Sequence, residues 1–329
     1  MANFPEIAFG TYEEFIVGFK PSVSDKEAKI KLLQSFATHS HQASIRCIAA
    51  HGRYLVSSGA DEYINIYDML IKEVLTVINF HNSTVTCLEF APDGSHLISA
   101  NQNGDIAIFS CKDWSLVKHW KGAHKNANGV VSLSVHPSGG LLLSAGADNI
   151  MRFWNLIKGR QAYAVNLSKK CSLGNSLNFV KWSKTGNYYC VCIGKLAEIY
   201  NTESAAVTYS VECQSKISSM DFSTSNILFL GLDNGTVEIH HLKKKQIILE
   251  KKCHKNRVKC LMSFIGPSLT ISDDKKLNYI ITADSRGLIK LWRFKIKNSS
   301  YSLLLKSETD VDCRLTCLTA IHYEVKEET

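Results

Sequence analysis

Two sets of side chains in this chain carry the inventory of an acyl-transfer site. His41, Ser57 and Asp61 precede Tyr67, and His124, Ser144 and Asp148 precede Trp154. A serine whose proton passes to a histidine oriented by a carboxylate is the nucleophile set of many hydrolases. That chemistry also needs a strained elbow such as Gly-x-Ser-x-Gly, an exposed hydroxyl and an oxyanion hole. Here the serines stand in Val56-Ser57-Ser58 and Leu143-Ser144-Ala145, which are strand-like stretches without an elbow. Both sets also share one spacing, with serine four residues before aspartate and aspartate six before the aromatic. A set that recurs at fixed spacing serves the architecture. Each histidine can donate to aspartate and accept from serine, satisfying groups that would be costly to bury alone. The expected role of all eight residues is structural, and no catalytic residue is expected.

The elements that must position these groups are repeated. Tyr67, Phe109, Trp154, Tyr200, His240 and Trp292 each close a short alternating segment, at intervals of 42, 45, 46, 40 and 52 residues. Turns of the kind Phe90-Ala91-Pro92-Asp93-Gly94, Val135-His136-Pro137-Ser138-Gly139 and Trp182-Ser183-Lys184-Thr185-Gly186 follow the first strand of a repeat. Proline fixes φ there and glycine accepts a positive φ. A period of 40–45 residues with several short strands per repeat predicts an all-β, seven-bladed β-propeller of WD40 type. Six blades are expected over about 43–80, 83–121, 129–167, 175–212, 215–252 and 256–307. Arg314-Leu315-Thr316-Cys317-Leu318 reads as one more inner strand, and residues 7–19 and 29–37 read as strands without a blade. Blade seven is therefore expected from 313–323 with 7–37, so that both termini close the ring and remove its sheet edges. Residues 20–29 are expected as a polar loop.

The composition fits one closed unit over residues 1–329. It is 45% apolar and 21% charged, with no apolar run approaching a membrane span and no basic-apolar secretory start. An intracellular, soluble protein is expected. Eleven cysteines are present, and Cys47, Cys87, Cys260 and Cys317 hold equivalent places in four inner strands, which points to packing about the axis. No Cys-x-x-Cys, His-Glu-x-x-His or Gly-x-x-x-x-Gly-Lys motif is written, so neither metal nor cofactor is expected.

Departures from the pattern point to function. At the aspartate position stand Asn103, Gly194, Asn234 and Arg286 in blades two, four, five and six. Asparagine still caps a turn, and blade four reads as a degenerate repeat held by packing alone. Blade six keeps His254 in its entering loop and puts Arg286 where the carboxylate belongs, with Lys255 and Arg257 in the same loop. The alternative is an arginine directed into water at an ordinary edge. Residues 241–297 carry twelve Lys and three Arg against four acids, a net of +11, whereas the whole chain is +8. Lys243, Lys244, Lys245, Lys251 and Lys252 are expected to extend the patch. Such segregation suits RNA phosphate or an acidic protein surface. An insertion at 265–277 is expected in the first turn of blade six, on the opposite rim.

The wording of the repeats resembles the PAK-interacting-protein family of nucleolar WD-repeat proteins. The matching stretches are Ile66-Tyr67-Asp68-Met69, His96-Leu97-Ile98-Ser99, His136-Pro137-Ser138-Gly139, Arg152-Phe153-Trp154-Asn155-Leu156 with Gly159-Arg160, Asn256-Arg257-Val258-Lys259, Gly287-Leu288-Ile289-Lys290-Leu291-Trp292, and the opening Tyr12-Glu13 with Gly18-Phe19. The resemblance implies a nuclear and nucleolar scaffold for precursors of the large (60S) ribosomal subunit, a monomer within a larger assembly whose partners are pre-ribosomal proteins and rRNA. It equally implies an adaptor that binds and restrains a p21-activated kinase. Longer members carry a lysine-rich tail, while this chain stops at Lys326-Glu327-Glu328-Thr329. Any RNA contact is therefore expected from the propeller itself.

Overall fold

Alternation along each repeat decides which side chains meet. In the third strand of blade one, Ile64 and Ile66 face the neighbouring blade's core, while Asn65 and Tyr67 hold the polar set. A computed structural model describes residues 4–24, 29–125, 129–171, 176–223, 226–267, 277–297 and 300–322. Seven antiparallel four-stranded sheets form a closed ring. Blade one lies within 45–78, blade two within 85–120, blade three within 130–166, blade four within 177–212, blade five within 217–252 and blade six within 258–310.

Blade seven is built from both ends of the chain. Its inner strand Leu315–Ile321 pairs with Glu6–Thr11, followed outward by Phe15–Ser24 and Lys29–His39. The register sets Phe9 opposite Leu318 and Ile7 opposite Ala320. That inner strand packs between the inner strands of blades six and one, so no inner strand is left at an open edge. Of the expected loop at 20–29, residues 25–28 lie outside the described residues, and the rest is strand, because Lys20 to Ser24 continue pairing with Leu33 to Lys29. Pro21 is tolerated there since Glu6–Thr11 pairs only as far as Phe19, leaving its missing N–H at an unpaired side. Blade six likewise runs to Asp310, three residues past the expected end, in a long hairpin whose Ser307 hydroxyl accepts from Leu32 N–H of blade seven.

Seven apolar clusters fill the seams between adjacent blades, and each draws from two of them. Trp120 stacks on Trp154 at 4.4 Å and Tyr189 on Tyr200 at 4.9 Å, so the closing aromatics serve as seam packing. Every inner strand carries a register shift at its second residue. Two of these bulge residues tie one blade to the next, and a third bonds inside its own blade. Thr86 Oγ1 donates to Val130 O at 2.6 Å, Ser218 Oγ to Val258 O at 2.8 Å, and Thr316 Oγ1 to Gly10 O at 2.9 Å, the last within blade seven.

Parallel neighbours around a propeller axis leave backbone N–H groups that no strand accepts. Side chains at the fifth residue of the inner strand supply the acceptors. Glu89 accepts from Val135 N at 3.0 Å, Ser134 Oγ from Trp182 N at 3.1 Å, and Asp221 from Ser263 N at 2.7 Å. Lys181 holds the same position in blade four and donates to Asp221 at 2.6 Å. A carboxylate–ammonium pair thus stands inside the central channel. The four axial cysteines are free thiols, with Cys47 beside both Cys87 and Cys317, and burial pushes every one of their pKa values up. They pack and are not poised to react.

Candidate functional site: a basic arc on the histidine rim

In blade three, His124 sits at 3.0 Å from Asp148 through Nδ1 and 2.7 Å from Ser144 through Nε2, and Trp154 Nε1 donates to the same hydroxyl at 2.8 Å. Blade one repeats this, with His41 at 2.7 Å from Asp61 and 2.6 Å from Ser57, and Ser57 donating to Tyr67 OH at 3.1 Å. Ser57 and Ser144 are 0% exposed, so no substrate carbonyl reaches either oxygen. Burial opposes ionisation of Asp148, yet His124, Arg152 and the Lys125 N–H hold its carboxyl down at about 2. The fixed anion caps the turn by accepting from Ile150 N at 3.1 Å. Ser144→Ala leaves His124 Nε2 and Trp154 Nε1 without partners. Chemical denaturation is expected to show a loss of roughly 2–4 kcal/mol; a change under 0.5 kcal/mol, on the order of an ordinary surface substitution, would contradict the hub role of that hydroxyl.

The departures resolve into a second way of meeting the histidine. Blades one and three have Gly59 and Gly146 two residues after the serine, and a Cβ on Gly146 would lie 2.0 Å from His124 Nδ1. A side chain at that place must therefore replace the distal aspartate. Blade two does this with Asn101, whose Nδ2 is 3.1 Å from His81 Nδ1, while His81 Nε2 is 2.7 Å from Ser99. Asn103, expected to cap its turn, bonds to Ser83 and Asn82 and does not reach the histidine. Blade six puts Asp284 at that place, close to His254 but not near enough for a hydrogen bond. That carboxylate accepts from Asn256 at 3.0 Å and from the backbone N–H groups of Arg286 and Leu288, with His254 Nδ1 at 3.8 Å. Thr282 stands for the serine, 2.8 Å from His254 and accepting from Trp292 at 2.9 Å. Blade six has moved its carboxylate, and Arg286 is free to face solvent.

Blade four is corrected as well. Lys170 reaches Glu198 at 2.7 Å, and Tyr200 OH donates to the same carboxylate at 2.7 Å. A buried carboxylate held by a half-exposed ammonium, and not packing alone, holds that repeat. In blade five, His240 lies 3.2 Å from Glu238 and 3.1 Å from Tyr209 OH.

The basic residues divide between two rims. Lys255 and Arg257 lie in the loop entering blade six and Arg286 in its second turn, all exposed at the rim that carries the histidines. Lys252 ends the preceding strand at that rim and donates to Asn234 O. His254 does not join them as a contact residue. It is 2% exposed, and burial pushes its imidazole down to about 4, keeping it neutral. Lys243, Lys244 and Lys245 turn at the far end of Gln246–Lys252, on the opposite rim, with Lys244 bonded to Tyr301 OH at 3.4 Å. Lys251 lies on the outer face over the Trp292 ring at 4.9 Å and donates to Leu303 O. Of the insertion, residues 268–276 lie outside the described residues, and its flanks at Gly266 and Leu277 are on the opposite rim.

Other cations replace those. Lys169 and Lys195 of blade four and Lys216 before blade five are exposed at the histidine rim. Arg46 and Lys259, the bulge residues of blades one and six, lie beside Cys317 near the channel mouth. Among the described residues none of these cations has a carboxylate within ion-pair distance. The arc ends at blade seven, where Asp310, Asp312, Glu13 and Glu14 face the same rim, Glu13 paired with Arg314 at 3.4 Å. Sequence reading missed Lys169, Lys195, Lys216 and Arg46 because they sit outside the Lys-rich run, and it counted Lys259 without placing it. Their signal was positional: each falls in an entering loop, a second turn or a bulge. No group of three His, Cys, Asp or Glu among the described residues is arranged to hold a metal.

Comparison with known proteins agrees with this architecture. The WD40 family (WD domain, G-beta repeat) matches residues 30–68, 72–110 and 114–155. Each match spans the outer strand of one blade and the three inner strands of the next, the overlap that locks the ring. The chain is 33% identical over 318 residues to "p21-activated protein kinase-interacting protein 1-like" of Danio rerio, covering 97% of this chain and 81% of the relative. It is 28% identical over 320 residues to "Shk1 kinase-binding protein 15" of Schizosaccharomyces pombe, at 95% and 83% coverage. To "Protein MAK11" of Saccharomyces cerevisiae it is 27% identical over 353 residues, at 95% and 82%. With its sheets, its repeats and an alignment running nearly end to end, the chain belongs to the p21-activated protein kinase-interacting protein 1 family of WD40-repeat scaffolds.

Proposed function

We propose that this protein is a non-catalytic scaffold in large ribosomal subunit biogenesis, acting in the nucleus and nucleolus as a monomer within precursor particles. The observation that carries the reading is the arc of cations along one rim, through Lys195, Lys216, Lys255, Arg257 and Arg286, with no ion-pair partner among the described residues. Clustered cations without internal partners bind phosphate with strong, salt-sensitive affinity. Among the described residues no exposed aromatic on blades four to six of that rim offers a base-stacking platform, so rRNA would be held by its backbone. Acidic faces of pre-ribosomal proteins would meet the same arc. Sedimentation of the tagged protein from nuclear extract, with and without RNase, tests the reading. Migration with large-subunit precursors that is lost on RNase treatment is expected; light fractions in both gradients would count against it.

The names of the relatives speak of kinase binding and so favour a second reading, an adaptor that binds a p21-activated kinase. We further propose that this binding restrains the kinase. Its test is direct: the purified protein should lower the activity of a purified p21-activated kinase at stoichiometric ratios. Unaltered activity with no complex on gel filtration would remove it.

A further inference from the structure

On the rim opposite the histidines, blades two and three part to leave a cleft of about 510 Å³. Its floor is apolar. Ala91, Ile98 and Ile108 of blade two face Leu156 of blade three, with Gly139 and Gly140 exposing bare backbone between them. Three of these, Ile98, Ile108 and Leu156, belong to the seam that also holds the stacked Trp120 and Trp154, so the cleft opens onto core. The volume is real space. A Cβ on Gly139 would meet only Pro92, at 4.0 Å, and one on Gly140 nothing nearer than 3.6 Å. Trp120 Nε1 donates to Gly159 O at 3.1 Å and closes the outer end.

The lip is unusual for a hairpin tip. Ile157 is 86% exposed where a polar residue would cost nothing, and Val117 across the cleft is 54% exposed. Beside each stands a lysine, Lys118 in blade two and Lys158 in blade three, and neither has an ion-pair partner among the described residues. The one carboxylate in the lining, Asp93, is already engaged by the N–H of Ser95 at 3.0 Å and its hydroxyl at 2.7 Å. An apolar hollow of this size flanked by two free ammonium groups has a definite complement.

We propose that this cleft docks a segment of a partner protein in which one bulky aliphatic or aromatic side chain is flanked by acidic residues. The apolar group enters over Ile98 and Ile108, and the carboxylates meet Lys118 and Lys158. The site is independent of the cation arc and lies on the other rim, so both surfaces can be occupied at once. Two cations around an apolar floor suit peptide and not a nucleic-acid backbone, which needs a longer row of phosphate contacts.

The test uses the full chain and labelled ten-residue peptides followed by fluorescence anisotropy. One peptide has a central Phe between Glu residues; the controls carry Ala for Phe, or Lys for Glu. Binding of the first at least tenfold tighter than of either control is expected. Ile157→Asp, at an exposed site that leaves the core intact, should weaken it tenfold or more, and Lys118→Glu with Lys158→Glu should remove the preference for acidic flanks. Equal affinity for the Lys-flanked peptide, unchanged binding by Ile157→Asp, or no binding at millimolar peptide each overturns the proposal. So does a concentration-dependent dimer that Ile157→Asp converts to monomer, since the occupant would then be a second copy of this chain.

Discussion

Reversing Lys255, Arg257 and Arg286 together to glutamate is expected to abolish association with large-subunit precursors while the propeller stays folded. The fold should survive because it uses these residues only through their backbones. Asp284 takes the N–H of Arg286, and Asn256 fills the space beside Asp284, whereas the three charged side chains are exposed and have no bonded partner among the described residues. Exposed substitutions of this kind usually stay within about 0.5 kcal/mol. Binding should respond far more. Three phosphate contacts become three repulsions, the salt slope falls by roughly 2–3, and affinity drops on the order of a hundredfold or more. The discriminating control is the reversal of Lys243, Lys244 and Lys245, equal in charge but on the opposite rim, which should leave association unchanged. If the control lost association and the blade-six variant kept it, the arc would be on the wrong rim. If both kept it, the cation arc would have no part in assembly.

The ring was legible because its signals are local and repeated. Aromatic closers at near-constant intervals, Pro and Gly in the first turns, and the unpaired strands at both ends suffice to place seven blades, and the resemblance over nearly the whole chain led to the family. What the sequence concealed are contacts made between elements. Asp284 and Asn101 were hidden because reading the repeat by its fourth-residue aspartate made Arg286 and Asn103 look like lost partners; only the 2.0 Å clearance at Gly146 explains why a side chain two residues earlier substitutes. Lys170 and Glu198 lie 28 residues apart, and Glu238 at the equivalent place in blade five bonds to His240 instead, so an alignment of repeats does not reveal their pairing. Glu89, Lys181 and Asp221 each look like an unremarkable charge in a strand. Their meaning appears when the fifth residues of the inner strands are set side by side, since the strands then bring them around one axis. The extension of the basic sector to Lys243, Lys244 and Lys245 was read from charge count, which ignores that a seven-residue strand carries its two ends to opposite rims.

Acidification from pH 7.5 to 4.5 is expected to lower the unfolding free energy by about 3 kcal/mol, with buried neutral histidines as the cause. Burial pushes His81 and His254 each down to about 4, against 6.5 for a free imidazole. Below pH 6.5 the unfolded chain therefore binds two protons that the folded chain refuses. Stability is whole above 6.5 and drains away as pH falls towards 4, at about 1.4 kcal/mol per pH unit for each histidine. His124 acts in the same direction, since its burial outweighs the hydrogen bond to Asp148. Glu89 opposes them. Burial raises its carboxyl to about 7, although the Val135 N–H and Lys181 pull it down, so the folded chain gains a proton through pH 7 that the unfolded chain accepts only near 4.5. Its contribution is present at low pH and lost as pH rises. Because Glu89 lines a channel that also wets Lys181, the offset is smaller than a dry site would give, and at least one net proton separates the states. Urea midpoints at constant ionic strength should fall steadily between pH 6.5 and 4.5 with an unchanged m value. Glu89→Gln should steepen that fall by removing the offset, and His254→Gln should flatten it. A midpoint that stays level across this window would mean that the histidines of the rim take up their protons in the folded ring.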